Sequence, residues 1–162
     1  MLAEVRSACW GGLPTRPGRF PILCHGQHPV LDRALTEAAI CPEDVGMAYL
    51  SSCGEPQHDA MELACIADTF GPHGPLLTSV THLTGEYGGL GTFRVAAAAV
   101  TVRQGISPRL DYLCQPIRTD VRFAVQPAAL APAVVLVHGL ASGGAHTAIL
   151  LGRLQDASDV AQ

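Results

Sequence analysis

Residues 51–62 read Ser51-Ser52-Cys53-Gly54-Glu55-Pro56-Gln57-His58-Asp59-Ala60-Met61-Glu62. The mostly apolar residues before this stretch predict a buried strand over 45–51. A tight Gly/Pro turn follows, and apolar residues then recur at helical spacing over 58–70. Asp59 and Glu62 lie at the start of this predicted helix, where we expect them to cap exposed amides and favour the helix dipole.

The rest of the chain alternates helices with apolar strands in the same way. Helices are predicted over 29–40 and 88–104, and strands over 2–9, 76–80, 134–137 and 147–151. This order predicts an α/β fold with a largely parallel sheet that ends in a β-hairpin. We expect one domain over 1–153 and a flexible tail over 154–162.

The predicted helix over 88–104 is unusual because it has almost no polar face. Its centre reads Phe93-Arg94-Val95-Ala96-Ala97-Ala98-Ala99-Val100-Thr101-Val102. A helix that is apolar all round is buried on every side, and one sheet covers only one side of it. We therefore expect a partner to supply the second layer, in contact with Val95, Ala97, Ala98 and Val102.

Composition excludes several functional classes. The 162 residues include 48% apolar and 15% charged residues, but no apolar run of the roughly 20 residues that cross a bilayer. A net charge of -4 argues against a nucleic-acid face. The sequence contains no Lys, which excludes Schiff-base chemistry on that residue. We expect a cytoplasmic chain without a signal peptide that binds neither nucleic acid nor membrane.

The cysteines and histidines do not form a standard metal motif. Six cysteines occur at 9, 24, 41, 53, 65 and 114, without a Cys-x-x-Cys pair. In a cytosolic chain they are most simply small apolar core residues. Cys24-His25-x-x-His28 contains suitable ligand types, but its spacing fits no standard site, so a packed or solvated loop is the simpler interpretation. No metal and no cofactor are predicted.

The order and spacing of several segments resemble the C-terminal half of β-ketoacyl synthases. That family has an Ala-His-Gly-Thr-Gly-Thr-Pro segment followed by Asp and Glu on the next helix, and Pro56, Asp59 and Glu62 fall at matching places. Residues 34–45 are similar to the family's Ala-Leu-x-x-Ala-Gly-x-x-Pro-x-Asp-Ile segment. The resemblance implies half of a thiolase-like fold, with a mixed sheet and layered helices.

The positions that match the family's catalytic residues carry other side chains. Ser51 and Glu86 stand where the family has its two catalytic His residues, and Thr81 stands where it has Lys. The family's His pair donates hydrogen bonds to a developing enolate oxygen, whereas Glu86 would place an anion beside it. The family's nucleophilic Cys belongs to its N-terminal half. The resemblance therefore implies no catalytic residue in this chain.

A third family segment, Gly-Phe-Gly-Gly-x-Asn, matches the predicted hairpin turn. It corresponds to Ala141-Ser142-Gly143-Gly144-Ala145-His146, so Ser142 replaces the family's gating Phe. The resemblance implies that Ser142, Gly143 and Gly144 belong to a loop beside the acyl tunnel.

These losses resemble the chain length factor of type II polyketide synthases, an inactive ketosynthase-like subunit. The resemblance implies a non-catalytic subunit that binds and completes or stabilises an active ketosynthase, as a heterodimer or heterotetramer, in polyketide or fatty-acyl chain elongation. An acyl carrier protein is a further candidate partner for the basic stretch at Arg103, Arg109, Arg118 and Arg122, although a solvated loop is the simpler interpretation. The alternative is one half of a split ketosynthase whose catalytic Cys lies on another chain.

A small stand-alone hydrolase is the remaining alternative. Residues 134–144 also look like the strand and oxyanion loop of an α/β-hydrolase, but the Gly-x-Ser-x-Gly elbow, acid and His do not follow. A triad of Ser51, His82 and Glu86 is conceivable, yet a Ser that replaces a lost His is more simply a filler.

Overall fold

A mixed β-sheet with helices on both faces organises the chain. The computed structural model describes residues 1–16, 19, 28–85, 89–111, 113, 115–131 and 133–154. The strands are β1 (Glu4–Gly12), β2 (Val45–Tyr49), β3 (Leu76–Thr78), β4 (Arg122–Phe123), β5 (Val134–Leu140) and β6 (Ala145–Gly152). The helices are α1 (Pro29–Ala38), α2 (Pro56–Phe70), α3 (Thr81–Thr84) and α4 (Leu90–Gln104), with a 3₁₀ turn at Pro42–Asp44.

The strand order in the six-stranded sheet is β1-β6-β5-β2-β3-β4. β2 runs parallel to β3 and β5, and β3 runs parallel to β4. β6 pairs antiparallel with both β1 and β5, so β5 and β6 form a hairpin. The predicted α/β architecture, the parallel centre and the closing hairpin are confirmed.

Side chains of the central strands alternate between two apolar cores, one on each face of the sheet. On β2, Ala48 packs into the core that α1 and α2 cover, whereas Met47 and Tyr49 pack into the core beneath α4. The hydroxyls of Tyr49 and Thr101 lie 2.8 Å apart and join β2 to α4 by a buried hydrogen bond. The helices therefore form two layers, with α4 on its own side of the sheet.

The predicted elements are present, with shifted ends, and two short elements were not predicted. α1 ends at Ala38 because Ala39 adopts a left-handed φ of 52° and its amide bonds back into the helix. α2 begins two residues earlier than predicted, at Pro56, because the carboxylate of Glu55 caps the amide of His58 at 2.6 Å. The unpredicted elements are α3 and β4.

Helix α4 is covered on one side only within the described chain. Ala98 and Val102 are completely buried against the sheet, whereas Phe93 and Val100 remain 44% and 41% exposed. This agrees, for the described residues, with the expectation that the sheet covers only one side of the helix and that this chain supplies no second layer. Phe93, Ala96 and Val100 point away from the sheet, and we call them the outer face of α4.

This orientation changes which residues of α4 are available to another protein. Ala98 and Val102, which the sequence places at a partner contact, instead pack into the chain's own core because they lie on the sheet side. Val95 and Ala97 are half-buried at the margin of that core. A partner contact on α4 remains a prediction, and its available surface is the outer face.

The cysteines divide between core and surface. Cys9 and Cys65 are buried, as predicted, whereas Cys41 and Cys53 are exposed, so the core interpretation is wrong for these two. Cys24, Cys114 and the predicted tail after Leu154 lie outside the described residues. Within the described ranges, no helix is long and apolar enough to cross a membrane.

The turn between β5 and β6 needs glycine at two positions. Gly143 and Gly144 have φ values of 88° and 87°, a region that favours glycine. The amide of Leu13, which follows β1, donates to the carbonyl oxygen of Gly144 at 2.7 Å. The end of β1 therefore packs against this turn. A Cβ atom on Gly144 would lie 2.1 Å from the carbonyl oxygen of Leu13, whereas one on Gly143 would meet open space.

We therefore expect Gly144→Ala to destabilise the chain more than Gly143→Ala. The Gly143 variant bears only the backbone strain of a side chain at positive φ, roughly 1–2 kcal/mol. The Gly144 variant adds the clash with the backbone of Leu13. Chemical denaturation of both variants measures the difference in their unfolding free energies. Equal values would show that the end of β1 does not pack against this turn.

Candidate functional site

Ser51 lies just beyond β2 and is turned into the protein interior. Its hydroxyl donates to Oε1 of Glu62 at 2.8 Å and accepts a hydrogen bond from the amide of Leu140 at 3.0 Å. Its own amide also donates to Oε1 of Glu62, at 2.9 Å. These contacts use the hydroxyl to join the ends of β2 and β5 to α2, which is a structural role.

Glu62 is a completely buried carboxylate at the centre of a polar network. Besides Ser51, it accepts a hydrogen bond from the hydroxyl of Ser52 at 2.8 Å and one from Nδ1 of His138 at 2.7 Å. The prediction that Glu62 caps amides at the helix start is therefore wrong, because its side chain reaches groups at the carboxyl ends of β2 and β5. Asp59 accepts from the amides of Cys53 and Gly54 at 2.9 and 3.0 Å, which lie in the turn before α2, whereas Glu55 caps the start of the helix itself.

Two histidines extend this network along the hairpin. The Nε2 atoms of His138 and His146 are 2.8 Å apart, and both side chains are fully buried. Since a carboxylate only accepts, Nδ1 of His138 carries a proton, and one of the two Nε2 atoms donates to the other. Nδ1 of His146 has no hydrogen-bond partner in the described part of the chain.

The network shifts the pKa values of its members. Burial raises the pKa of Glu62, but the hydrogen bond and charge of His138, together with the contacts from Ser51, outweigh burial and lower it to about 2. Burial and then electrostatic repulsion from His138 lower the pKa of His146 to about 3. The pKa of His58 is raised, because its hydrogen bond to Asp59 and the charge of Glu62 outweigh the effect of burial.

A cavity of about 560 Å³ lies beside this network. Its polar lining includes Ser52, Ser79, Thr81 and His82, and Leu50, Leu63, Leu110 and Phe123 contribute apolar side chains. Thr81 accepts a hydrogen bond from Ser79 at 3.1 Å. Neither Ser51 nor residues 142–144 belong to the lining.

The predicted site residues therefore separate into different places. Ser51 is turned toward Glu62 while His82 and Thr81 line the cavity, and Glu86 lies outside the described residues. The hydrolytic triad of Ser51, His82 and Glu86 finds no support in the two members that are described. Residues 134–144, compared above with a hydrolase loop, form β5 and a hairpin turn.

The arginines of the predicted basic stretch bind groups near them. Arg109 lies 2.6 Å from Asp111, and Nε of Arg118 donates to Asp120 at 2.9 Å. Arg122 and Arg103 donate to the carbonyl oxygens of Gly74 and Met1. Neighbouring acids thus offset part of this charge, and binding of an acyl carrier protein here stays a prediction.

Sequence reasoning missed His138, His146 and the buried role of Glu62. A usable signal existed for the histidines, because their even separation across a predicted hairpin puts both on one sheet face. The register confirms this, since Leu140 lies opposite His146 and His138 opposite Ala148. No local feature of the sequence indicates that Glu62 contacts the pair of His138 and His146.

These pKa shifts predict acid sensitivity in two steps. His146 and Glu62 both have folded pKa values below their ordinary values of 6.5 and 4.5. The stabilising contribution of each group is therefore complete above its ordinary pKa. It is lost as the pH falls from that value toward the folded pKa, which is about 3 for His146 and about 2 for Glu62. We expect the unfolding free energy to fall below pH 6.5, by up to about 1.4 kcal/mol per pH unit for one proton.

Denaturation at a series of pH values measures this slope, and His146→Asn serves as the comparison. The variant lacks the imidazole, so its slope between pH 6.5 and 4.5 should be smaller than that of the wild type. An unchanged slope in the variant would mean that His146 does not stay neutral in the folded chain.

Known proteins are similar to this chain in both sequence and fold. Residues 22–111 match the C-terminal domain of beta-ketoacyl synthases. The chain is 33% identical over 98 residues to the tetracenomycin polyketide synthase ketoacyl synthase beta subunit of Streptomyces glaucescens, covering 60% of this chain and 22% of that relative. It is 28% identical over 159 residues to a polyketide beta-ketoacyl synthase 2 of Streptomyces coelicolor, covering 93% and 37%.

Solved ketosynthase structures confirm the predicted half of a thiolase-like fold. The ishigamide ketosynthase/chain length factor superposes with a TM-score of 0.78 at 20% identity, over 95% of this chain and 38% of that one. A type II ketosynthase in complex with its acyl-carrier protein, AntDE:AntF, superposes with a TM-score of 0.82 at 17% identity, over 95% and 39%. The chain thus spans well under half the length of these proteins. By its matching domain and its fold, the chain belongs to the beta-ketoacyl synthase family.

Proposed function

We propose that this chain is a non-catalytic, chain-length-factor-like subunit that binds and stabilises an active ketosynthase in type II polyketide or fatty-acyl chain elongation. The observation that carries the proposal is the uncovered outer face of α4. The names of the relatives support it, because one is a ketoacyl synthase beta subunit and a solved neighbour is a ketosynthase/chain length factor.

The outer face of α4 has the properties of a protein contact. Phe93, Ala96 and Val100 follow one another at helical spacing and leave a continuous apolar strip on the surface. Exposed apolar patches of this kind mark contact surfaces, and the small side chain of Ala96 allows close approach. The opposite side of the helix is held by the sheet, so the outer face is presented in a fixed orientation.

The chemistry of the site supports a non-catalytic role. A condensing enzyme needs donors aimed at a developing enolate oxygen. At the position of the first family His, the hydroxyl of Ser51 instead donates to Glu62 inside the protein. At the position of the family Lys, Thr81 offers a neutral hydroxyl that already accepts from Ser79.

Co-expression with a ketosynthase subunit tests the proposed complex. We expect the two chains to co-purify, and Val100→Asp to weaken the complex by about 2 kcal/mol, roughly 30-fold in Kd, since it buries a charge in an apolar contact. Val125→Asp is the matched control, because Val125 is also exposed but lies after β4.

Size-exclusion chromatography with mass measurement and titration calorimetry give the stoichiometry and the affinities. Equal binding by the wild type and Val100→Asp would place the contact elsewhere. Parallel co-expression with a complete ketosynthase and with an isolated N-terminal half separates the subunit role from the split-ketosynthase alternative.

We expect the chain alone to release no carbon dioxide from a malonyl-carrier protein. The reason is that Ser51 and Glu86 stand at the positions of the family's two imidazole donors, Thr81 stands at the position of its Lys, and the family's nucleophilic Cys belongs to its N-terminal half. Release of labelled carbon dioxide, with an active ketosynthase as the positive control, is the measurement. Chain-dependent release that Ser51→Ala removes would show that the site is catalytic.

A further inference from the structure

Three ligand-type side chains that the proposed function does not use meet at the start of α2. Ligand atoms of Cys53, His58 and Asp59 all lie within 4.8 Å of one another. We propose that these three residues bind one divalent cation of the zinc class. The inference does not depend on the proposed function, because it concerns this chain whether or not it binds a ketosynthase.

The orientation of His58 carries the argument. The ring is almost completely buried, and Nε2 lies 3.1 Å from the carbonyl oxygen of Leu140. Since that oxygen only accepts, Nε2 carries the proton, and the neutral ring has its lone pair on Nδ1. A metal-bound histidine has the same arrangement, with its other N–H donated to a backbone carbonyl that fixes the tautomer and the ring.

The lone pair of His58 is directed at a second ligand atom. Nδ1 lies 3.2 Å from Oδ1 of Asp59. Two acceptor atoms at this distance repel each other unless a positive charge lies between them. A proton or a metal ion fulfils that requirement, and the nearby thiol of Cys53 supplies a third ligand for a metal ion.

Backbone contacts hold Asp59 and Cys53 together before any ion binds. The carboxylate of Asp59 accepts hydrogen bonds from the amides of Cys53 and Gly54. These bonds fold the turn over the helix start, and a φ of 89° at Gly54 permits the reversal. The ligands therefore need little rearrangement, which is the condition for a tight site.

Ligand type and charge select the ion. Thiolate and imidazole favour Zn²⁺ over Mg²⁺ or Ca²⁺, which prefer oxygen ligands. One thiolate and one carboxylate cancel the charge of a divalent ion, so the loaded site is neutral overall. Cys53 and Asp59 line the cavity, so water in the cavity would have access to a bound ion.

Titration of the metal-stripped full chain with Co²⁺ alone, and then with Zn²⁺, tests the proposal. If the chain is purified as a complex, the same titration uses that complex. We expect one Co²⁺ per chain, a thiolate-to-cobalt charge-transfer band in the near ultraviolet, and displacement of that band by Zn²⁺. Zn²⁺ should also raise the Tm of the wild type.

Single substitutions identify the ligands. Cys53→Ser should abolish the charge-transfer band, and His58→Gln, whose amide retains a donor toward Leu140, should weaken Zn²⁺ binding by at least the 10- to 100-fold typical of supporting residues in metal sites. Cys41→Ser is the matched control, because Cys41 is also exposed. Circular dichroism verifies that each variant is folded.

The outcomes are mutually exclusive. A band that is lost in Cys53→Ser and kept in Cys41→Ser supports the site. Absence of a thiolate band in the folded wild type, or equal Zn²⁺ affinity in the wild type and His58→Gln, overturns it and leaves a proton as the cation between His58 and Asp59.

Discussion

The buried carboxylate of Glu62 is the constraint on which the surrounding structure depends. A charge inside a protein is tolerated only when donors replace the water it has lost. Glu62 obtains them from Ser51 and Ser52 after β2 and from His138 on β5. The ends of two neighbouring parallel strands are thereby tied to α2, and removal of one partner from such a buried pair typically costs about 3–5 kcal/mol.

This constraint fixes the strand end at which Ser51 lies. Ser51 is held by Glu62 and the amide of Leu140, so the strand end and the turn that follows keep their geometry. The same turn then brings Cys53 close to His58 and Asp59. The strand end that positions Ser51 thus also positions the start of α2, where these three side chains lie close together.

The two faces of the sheet differ in how completely they are covered. α1 and α2 share one face and build a broad apolar core, whereas α4 covers the other face and exposes Phe93 and Val100. Arg94 is also buried on the sheet side of α4, and its Nε and Nη1 have no hydrogen-bond partner among the described residues. Among the described residues, packing is therefore less complete on the α4 side of the sheet.

The sequence by itself determined the order of the main elements and the closing hairpin, because apolar periodicity and Gly/Pro breaks are local signals. It missed β4, whose two residues form a strand only because they pair with β3. It could not separate the inner and outer sides of α4, since small apolar residues occupy both.

In the candidate site, too, the sequence shows some features and only the tertiary structure shows the others. The replacements at Ser51 and Thr81 can be read from the sequence, but the direction of the Ser51 hydroxyl cannot. Glu62 and His138 are 76 residues apart and meet only because β5 pairs with β2 under α2. Tertiary structure alone decided that contact, because a buried hydrogen bond between distant residues depends on strand register and helix packing, which no local pattern encodes.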